Sequence, residues 1–115
     1  MKDIELGKVK TVLQPWGKEE VFADIDGRLV GKVLHVRAGE RMTIEANAAH
    51  EEVVSLMSGA VWIDQGDNPE HSPRISLAPG QTVHIAPGTA QQISATENSM
   101  LLEVSTSTES TQNET

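Results

Sequence analysis

Short β-branched runs, separated at close intervals by turn residues, constrain the fold of this chain more than any other feature of its sequence. Segments such as residues 31–36 and 81–85 are followed within a few positions by Gly or Pro, and helical periodicity is weak throughout. The predicted strands are Lys8–Leu13, Glu19–Ala23, Leu29–Arg37, Arg41–Ala46, Glu52–Met57, Ala60–Asp64, Arg74–Leu77, Thr82–Ala86, Gln91–Ala95 and Met100–Val104. Strands of this length and spacing are typical of closed or two-sheet β architectures, so the sequence predicts an all-β sandwich or small barrel.

The length and residue composition favour one cytoplasmic domain. A chain of 115 residues is long enough for one hydrophobic core and too short for two. It contains no cysteine, which excludes disulfides, iron–sulfur clusters and thiolate zinc sites and suits a reducing compartment. No apolar run approaches the roughly 20 residues of a membrane span, and residues 1–5 are too charged to begin a signal peptide.

The charge distribution argues against two classes of partner. The net charge is −8, the nine Lys and Arg residues are scattered along the chain, and only one Phe and two Trp are present. Nucleic-acid binding and anionic-membrane binding both need a clustered basic surface, and single-stranded nucleic acid also needs aromatic platforms. We therefore expect no nucleic-acid partner and no membrane partner.

The sequence divides into three parts. Residues 1–7 form a short N-terminal extension, and residues 8–105 hold all the predicted strands. Residues 106–115 are Ser, Thr, Glu, Gln and Asn, with no apolar side chain. Such a segment cannot bury enough apolar surface to offset its ordering entropy, so we predict a disordered polar tail.

A pattern of glycines around one glutamate resembles the two conserved motifs of the cupin superfamily. Those motifs read G(X)5HXH(X)3–4E(X)6G and G(X)5PXG(X)2H(X)3N. Gly39, Glu52 and Gly59 match the frame of the first, and Gly80 and Gly88 match the frame of the second. The resemblance implies a double-stranded β-helix, the small jelly-roll barrel also described as RmlC-like, and it implies a homodimer.

The most detailed resemblance is to the C-terminal mannose-6-phosphate isomerase-like domain of bifunctional mannose-1-phosphate guanylyltransferase/mannose-6-phosphate isomerases. It extends over about residues 8 to 105 and is carried by Pro15-Trp16-Gly17, the segments 31–34, 39–44, 57–59 and 85–89, and Leu102-Glu103-Val104. By position, the metal ligands of that family fall on Glu45, Asn47, Glu52 and Gln91, and a basic loop residue falls on His50. Because a phosphosugar isomerase needs cations for the phosphate and a metal or base for the proton, these replacements argue against that activity.

The resemblance implies that Glu45, Asn47, Glu52 and Gln91 converge inside the barrel, with His50 beside them. Two carboxylates and two amides suit hard ions such as Mn²⁺, Mg²⁺ or Ca²⁺ better than Zn, Fe or Ni, although His50 could add one nitrogen ligand. We expect no tightly bound metal; Mn, Fe, Ni and Zn are the ions to test for. Without a metal, two confined carboxylates repel each other, so one of them should retain its proton near neutral pH.

Three functions remain open from the sequence. The first is a domain with a degenerate metal site that binds a carbohydrate-like or other small polar metabolite through Glu45, Asn47, His50, Glu52 and Gln91. The second is a cupin enzyme of isomerase, lyase or dioxygenase type, in which Glu52 is the catalytic residue and works with Glu45 and a divalent metal or none. The third is a structural or dimerisation module whose cavity is filled by side chains.

Several other residues are interpreted as structural. His35 and His84 alternate with apolar neighbours, so we expect both on an outer sheet face. Glu51 is expected in solvent. We expect Trp16 to pack over the end of the barrel and Trp62 to lie on an outer face.

Overall fold

Ten β-strands account for the regular structure of the computed structural model, which describes residues 7–45, 48–65 and 74–107. They are β1 Lys10–Gln14, β2 Gly17–Ile25, β3 Leu29–Val36, β4 Arg41–Ile44, β5 His50–Ser58, β6 Val61–Gln65, β7 Ile75–Leu77, β8 Thr82–Ile85, β9 Gln91–Ala95 and β10 Ser99–Ser107. Each predicted run forms one of these strands, and the described ranges contain no helix, membrane-spanning or otherwise. The prediction of an all-β chain is confirmed.

The strands form two antiparallel sheets that face each other. The larger sheet has the order β1-β2-β3-β10-β5-β8, and the smaller has the order β4-β9-β6-β7. Many neighbours in a sheet are distant in sequence, as where β10 lies between β3 and β5. This arrangement of crossing connections between two sheets is the predicted jelly roll.

The hydrophobic core lies between the two sheets, because alternate residues of each strand point inward. The larger sheet contributes Leu34, Val36, Val54, Leu56, Ile85 and Leu101, and the smaller contributes Met42, Ile44, Val61, Ile63, Leu77, Ile93 and Ala95. All of these side chains are buried.

The inner face of the larger sheet changes character along its strands. Leu101 of β10 is opposite Leu34 of β3 and Leu56 of β5, and these three leucines define what we call the apolar end. Further along the same strands, Glu103 lies opposite Lys32, and Glu52 lies opposite Ser105. Lys32, Glu52 and Glu103 define the polar end. Along β3, β5 and β10, the inward-facing side chains therefore change from apolar to charged.

Gly59, which closes the first sequence motif, permits a close approach between the β5–β6 turn and β10. Its φ is 99°, and a Cβ atom there would lie 2.3 Å from Ser99 Oγ and 2.6 Å from the Asn98 carbonyl oxygen. An L-residue would clash with that backbone and be strained at this φ, so only glycine fits without a shift.

Strand β10 is longer than the sequence predicts. It continues to Ser107, whereas the predicted polar tail begins at residue 106. Thr106 pairs with Leu29, Ser107 pairs with His50, and Ser107 N donates to the Arg28 carbonyl oxygen over 3.0 Å. Backbone ladder bonds do not require apolar side chains, which is why the strand extends into a polar sequence. Residues 1–6 of the predicted extension 1–7, and residues 108–115 of the predicted tail, lie outside the described residues.

Candidate ligand-binding cavity

A cavity of about 540 Å³ opens between the sheets at the polar end. Its wall on the apolar side includes Leu34, Met42, Ile44 and Ile85, which are also core residues. The charged and imidazole side chains in its lining are Glu19, Lys32, Glu45, His50, Glu52 and Glu103. Gln14, Thr43 and Thr89 add an amide and two hydroxyls. The cavity therefore combines a hydrocarbon floor with a dense set of hydrogen-bonding groups.

Strand alternation explains why charged residues face inward here. Lys32 is two residues from buried Leu34, and Glu103 is two residues from buried Leu101. Glu19 of β2 is opposite Leu34 and shares its inward direction. Because side chains two apart on a strand point the same way, the residues that build the core also fix the direction of these three charges.

Glu103 and Glu52 form a hydrogen-bonded pair of carboxyl groups on neighbouring strands. Glu103 is only 6% exposed. Burial, followed by the hydrogen bond and the negative charge of Glu52, raises the pKa of Glu103 to about 8, although the nearby Lys32 acts in the opposite direction. At neutral pH Glu103 therefore carries its proton and donates it to the Glu52 carboxylate.

Lys32 is held in an ion pair at the wall of the cavity. Its Nζ lies 3.0 Å from Glu19 Oε1, and Gln14 Nε2 donates to Glu19 Oε2 over 2.9 Å. Burial opposes the charged form of Lys32, but the hydrogen bond and charge of Glu19, with smaller effects of Glu103 and Glu52, raise its pKa above the ordinary value. Lys32 is therefore a fixed ammonium group whose charge is offset by Glu19.

The rim of the cavity is formed by a tryptophan and two exposed polar side chains. Trp16 lies in the turn between β1 and β2, packs against the core, and accepts a 3.0 Å hydrogen bond from Arg37 N through its carbonyl oxygen. Glu45 and His50 are exposed at the ends of β4 and β5. The rim therefore presents one aromatic surface and two polar side chains to an entering molecule.

The structure brings together three of the five predicted site residues. Glu45, His50 and Glu52 all line the cavity. Gln91 is half-buried on β9 opposite Ile44, but it is not part of the lining. Asn47 lies outside the described residues. The roles of these residues in holding a ligand stay predictions.

Three charged residues of the cavity lining are missing from the sequence-based prediction, namely Glu19, Lys32 and Glu103. For Lys32 a signal exists, because it shares the alternation of Leu34 and Val36. For Glu103 the signal is misleading. Met100, Leu102 and Val104 are apolar and alternate with it, so the pattern of β10 favours the wrong face as the inner one.

The described lining does not fit a metal centre. Within residues 7–45, 48–65 and 74–107, no three His, Asp or Glu side chains are grouped so as to hold a metal ion. Glu52, the one residue identical to a metal ligand of the resembled family, is hydrogen-bonded to Glu103. The expectation of no tightly bound metal stays a prediction.

The residues interpreted as structural lie on outer faces or at the barrel end, as predicted. His35 Nε2 is 2.6 Å from Glu20 Oε1, and exposed His84 Nε2 is 2.5 Å from Glu51 Oε2. Trp62 is on the outer face of the smaller sheet, 37% exposed, with the Arg74 guanidinium 5.4 Å from its ring centroid.

Comparison of sequences identifies no relative, since no protein-family profile and no curated protein matches the chain. Comparison with solved structures, in contrast, finds many proteins with a similar fold. Hydroxypropylphosphonic acid epoxidase from S. wedmorenis matches with a TM-score of 0.72 and 14% identity, over 84% of this chain and 54% of that one. KdgF from Halomonas sp. matches with a TM-score of 0.71 and 13% identity, over 90% of each chain. The capsular polysaccharide assembling protein CapF from Staphylococcus aureus matches with a TM-score of 0.74 and 13% identity, over 90% of this chain and 32% of that one.

These matches concern the fold alone, because identities of this size do not transfer an activity or a ligand. The chain spans about half of the epoxidase and a third of CapF, but nearly all of KdgF. The region of each protein that matches this chain has the cupin fold, a small jelly roll, which agrees with the order of the strands in the two sheets. The chain therefore has the cupin fold.

Proposed function

We propose that this domain binds a small polar metabolite, carbohydrate-like in its hydroxyl groups, in the cavity at the polar end. The observation that carries the proposal is the lining itself, which surrounds about 540 Å³ with carboxyl, ammonium, amide and hydroxyl groups above a hydrocarbon floor. Small-ligand sites typically occupy roughly 300–1,000 Å³ and use a few fixed polar groups in an apolar setting.

The chemistry of the lining matches the needs of a hydroxylated ligand. A hydroxyl group both donates and accepts, so it can donate to a carboxyl oxygen of Glu52 or Glu103 and accept from the hydroxyl group of Thr43 or Thr89 in one site. The face of the Trp16 ring can cover the C–H surface of a sugar. Because β-strands fix most of these groups, little ordering entropy is lost when a ligand binds.

Tryptophan fluorescence offers a direct test, because the chain has two tryptophans and only Trp16 lines the cavity. In a Trp62→Phe background, all tryptophan emission comes from the cavity rim. We expect a saturable change in this emission on titration with at least one member of a panel of monosaccharides and polyols. The same titration of Glu52→Gln should show weaker binding.

The matched control is Glu20→Gln, which makes the same chemical change on the outer face of β2, where Glu20 contacts His35. It should bind as the parent protein does. If no compound in the panel changes the Trp16 emission up to tens of millimolar, or if Glu20→Gln weakens binding as much as Glu52→Gln, the cavity is not the binding site.

The second candidate function is an enzyme that works by acid–base catalysis without a metal. The observation that favours it is the raised pKa of Glu103, which lies beside Glu52. A buried carboxyl with a pKa of about 8 can donate a proton at neutral pH while the adjacent Glu52 carboxylate accepts one. This pair suits proton transfer at a carbon next to a carbonyl, the step shared by isomerases and lyases. Glu45, at the exposed rim, would only contact the substrate.

Solvent deuterium distinguishes the two candidates. A ligand that binds is incubated with the protein in D₂O, and exchange at its carbon-bound hydrogens is followed by NMR. An enzyme of this type should exchange one position, and Glu103→Gln should abolish that exchange while retaining binding. If the ligand binds but none of its carbon-bound hydrogens exchanges, the enzyme candidate is wrong and binding is the remaining function.

The structural-module alternative differs from the binding proposal in that the parent protein should respond to no ligand. If the cavity has no ligand, replacing its buried charges by apolar groups should be neutral or stabilising. The double variant Glu52→Leu/Glu103→Leu should then be at least as stable as the parent at every pH. Under the binding proposal it loses all response to the monosaccharide panel.

The closer kinship to mannose-6-phosphate isomerase-like domains stays a proposal, as does the homodimer. Pairing through the outer face of the larger sheet is supported by the exposed side chains of Val53, Met57 and Val104. Sedimentation velocity of Val53→Lys should then show a monomer where the parent shows a dimer. A dimer abolished by Trp62→Lys instead would place the contact on the smaller sheet.

A further inference from the structure

The charge balance of the cavity restricts the class of ligand that it can accept. Lys32 is the single Lys or Arg in the described lining, whereas Glu19, Glu45, Glu52 and Glu103 are all present. An anionic ligand needs an unpaired cation or a cluster of free backbone donors. Among the Lys and Arg residues, Lys32 is therefore the cation of the described lining on which binding of an anion depends.

Lys32 is not available to an anion, because Glu19 already holds it. The Nζ–Oε1 distance is 3.0 Å, and the two side chains are 28% and 15% exposed, so water screens the pair only in part. Gln14 holds the second oxygen of Glu19 and keeps the carboxylate in place. A phosphate or carboxylate would have to displace Glu19 and leave that carboxylate without its partner.

The remaining charges add to the repulsion. Between them, Glu52 and Glu103 carry one negative charge while Glu103 keeps its proton, and the exposed Glu45 adds another at the rim. The groups that face Glu103 are Glu19 on β2, Lys32 on β3 and Glu52 on β5. Together these groups leave a net negative cavity, which repels an anion and leaves an uncharged hydroxyl ligand unaffected.

We propose that the cavity selects uncharged, hydroxyl-bearing ligands and rejects their phosphorylated or carboxylated forms, with the Lys32–Glu19 ion pair and the Glu52–Glu103 pair as the selecting groups. The proposal rests on the proposed function only for the location of the ligand. It assigns a specificity role to Glu19, Lys32 and Glu103, and it names a sugar or polyol, rather than a sugar phosphate, as the ligand class.

The first part of the experiment compares mannose with mannose 6-phosphate, and glucose with glucose 6-phosphate and glucuronate, by Trp16 emission in the Trp62→Phe background. We expect each anionic form to bind about tenfold or more weakly than its uncharged counterpart, since like charges placed together strongly disfavour a complex. Tighter binding of the phosphorylated forms would overturn the selection and leave binding in the cavity intact.

The second part uses inorganic phosphate alone and does not depend on any sugar. Glu19→Gln frees the Lys32 ammonium and removes one negative charge, so we expect this variant to bind phosphate at least tenfold more tightly than the parent. Glu20→Gln, one residue away on the opposite face of β2, should not. Glu52→Gln reduces the negative charge by a second route and should also gain phosphate affinity.

The outcomes separate the two claims. If no sugar binds but Glu19→Gln gains phosphate and Glu20→Gln does not, the proposed function is wrong and the charge selection is right. If the parent already binds phosphate as tightly as Glu19→Gln, or if Glu20→Gln gains as much, the selection is wrong. Circular dichroism of each variant confirms that the comparison is between folded proteins, and Glu52→Gln decides the question if Glu19→Gln does not fold.

Discussion

The apolar end and the polar end of the inner face of the larger sheet have different roles in this protein. At the apolar end, Leu34, Leu56 and Leu101 are at most 1% exposed and pack against the smaller sheet. At the polar end, Lys32, Glu52 and Glu103 occupy inward positions further along the same three strands and line a cavity. One pattern of alternation thus positions both the core and the site.

The difference shows how a small domain can hold a charged site without losing its fold. The apolar end supplies the burial that stabilises the sandwich, so the polar end can keep groups whose burial is unfavourable. Those groups are paired, Lys32 with Glu19 and Glu103 with Glu52, so that few charges remain unsatisfied. Substitutions at the two ends should therefore differ in kind as well as in size.

The largest change in the free energy of unfolding is expected for a substitution at the apolar end. Leu101→Ala removes a fully buried side chain from the middle of the core and should lower the free energy of unfolding by about 2–5 kcal/mol. Urea unfolding measures it. The matched control is Leu13→Ala on β1, where the side chain is 80% exposed, and its effect should stay within about 0.5 kcal/mol. Similar losses at both positions would contradict the assignment of the core.

At the polar end, Glu103→Gln should alter the pH dependence of stability. The pKa of Glu103 is about 8 in the folded protein, above its ordinary value of 4.5, so the folded state binds more protons than the unfolded state between these values. Stability is therefore lost as pH rises through this window, at up to about 1.4 kcal/mol per pH unit.

Glutamine cannot ionise, so the Glu103→Gln variant should match the parent near pH 4 and exceed it by several kcal/mol near pH 9. Urea unfolding at pH 4, 7 and 9 measures the difference. Glu97→Gln, at an exposed position before β10, is the control and should run parallel to the parent. A Glu103→Gln profile that is also parallel to the parent would mean that Glu103 ionises normally.

Lys32→Met should have an intermediate effect. It keeps the length of the side chain but leaves the part-buried Glu19 without its cation, which should cost about 2 kcal/mol at pH 7. Lys10→Met on exposed β1 is the control. If both variants are equally stable, the Lys32–Glu19 pair is a solvent-screened contact and cannot hold Lys32 away from a ligand.

The smallest effect is expected on the outer face. The His84–Glu51 contact is short at 2.5 Å, but both side chains are more than half exposed. Pairs of this kind contribute less than about 1 kcal/mol, so His84→Ala should be within this range at pH 6 and at pH 8. A larger loss of stability would mean that this outer face of the larger sheet is shielded from water in solution.

The sequence predicts the fold far better than the site. All ten strands follow from β-branched runs and turn residues, because these signals are local, and Gly59 is required by a close backbone approach between the β5–β6 turn and β10. The end of β10 is predicted too early, because ladder bonds extend into polar residues that carry no hydrophobic signal.

For the candidate site, the glycine frame of the sequence indicates only some of the residues that line the cavity. Glu45, His50 and Glu52 are among the lining residues, and their roles in binding a ligand stay predictions. Glu103 cannot be found in this way, because both faces of β10 carry apolar residues and the inner one is decided by its partners, β3 and β5. Pairing between distant strands also brings Glu19 to Lys32 and Glu103 to Glu52, which no single segment can reveal.

A ¹H–¹⁵N NMR titration of the parent protein with uncharged monosaccharides, each compared with its phosphorylated form, tests most directly whether the cavity selects uncharged ligands. This selectivity predicts that an uncharged sugar shifts the Trp16 indole signal and the backbone amides of Lys32, Glu52 and Glu103, and that its phosphate does not. Shifts confined to the outer faces, around Val53 or Trp62, or shifts at the cavity caused only by the phosphorylated form, would contradict it.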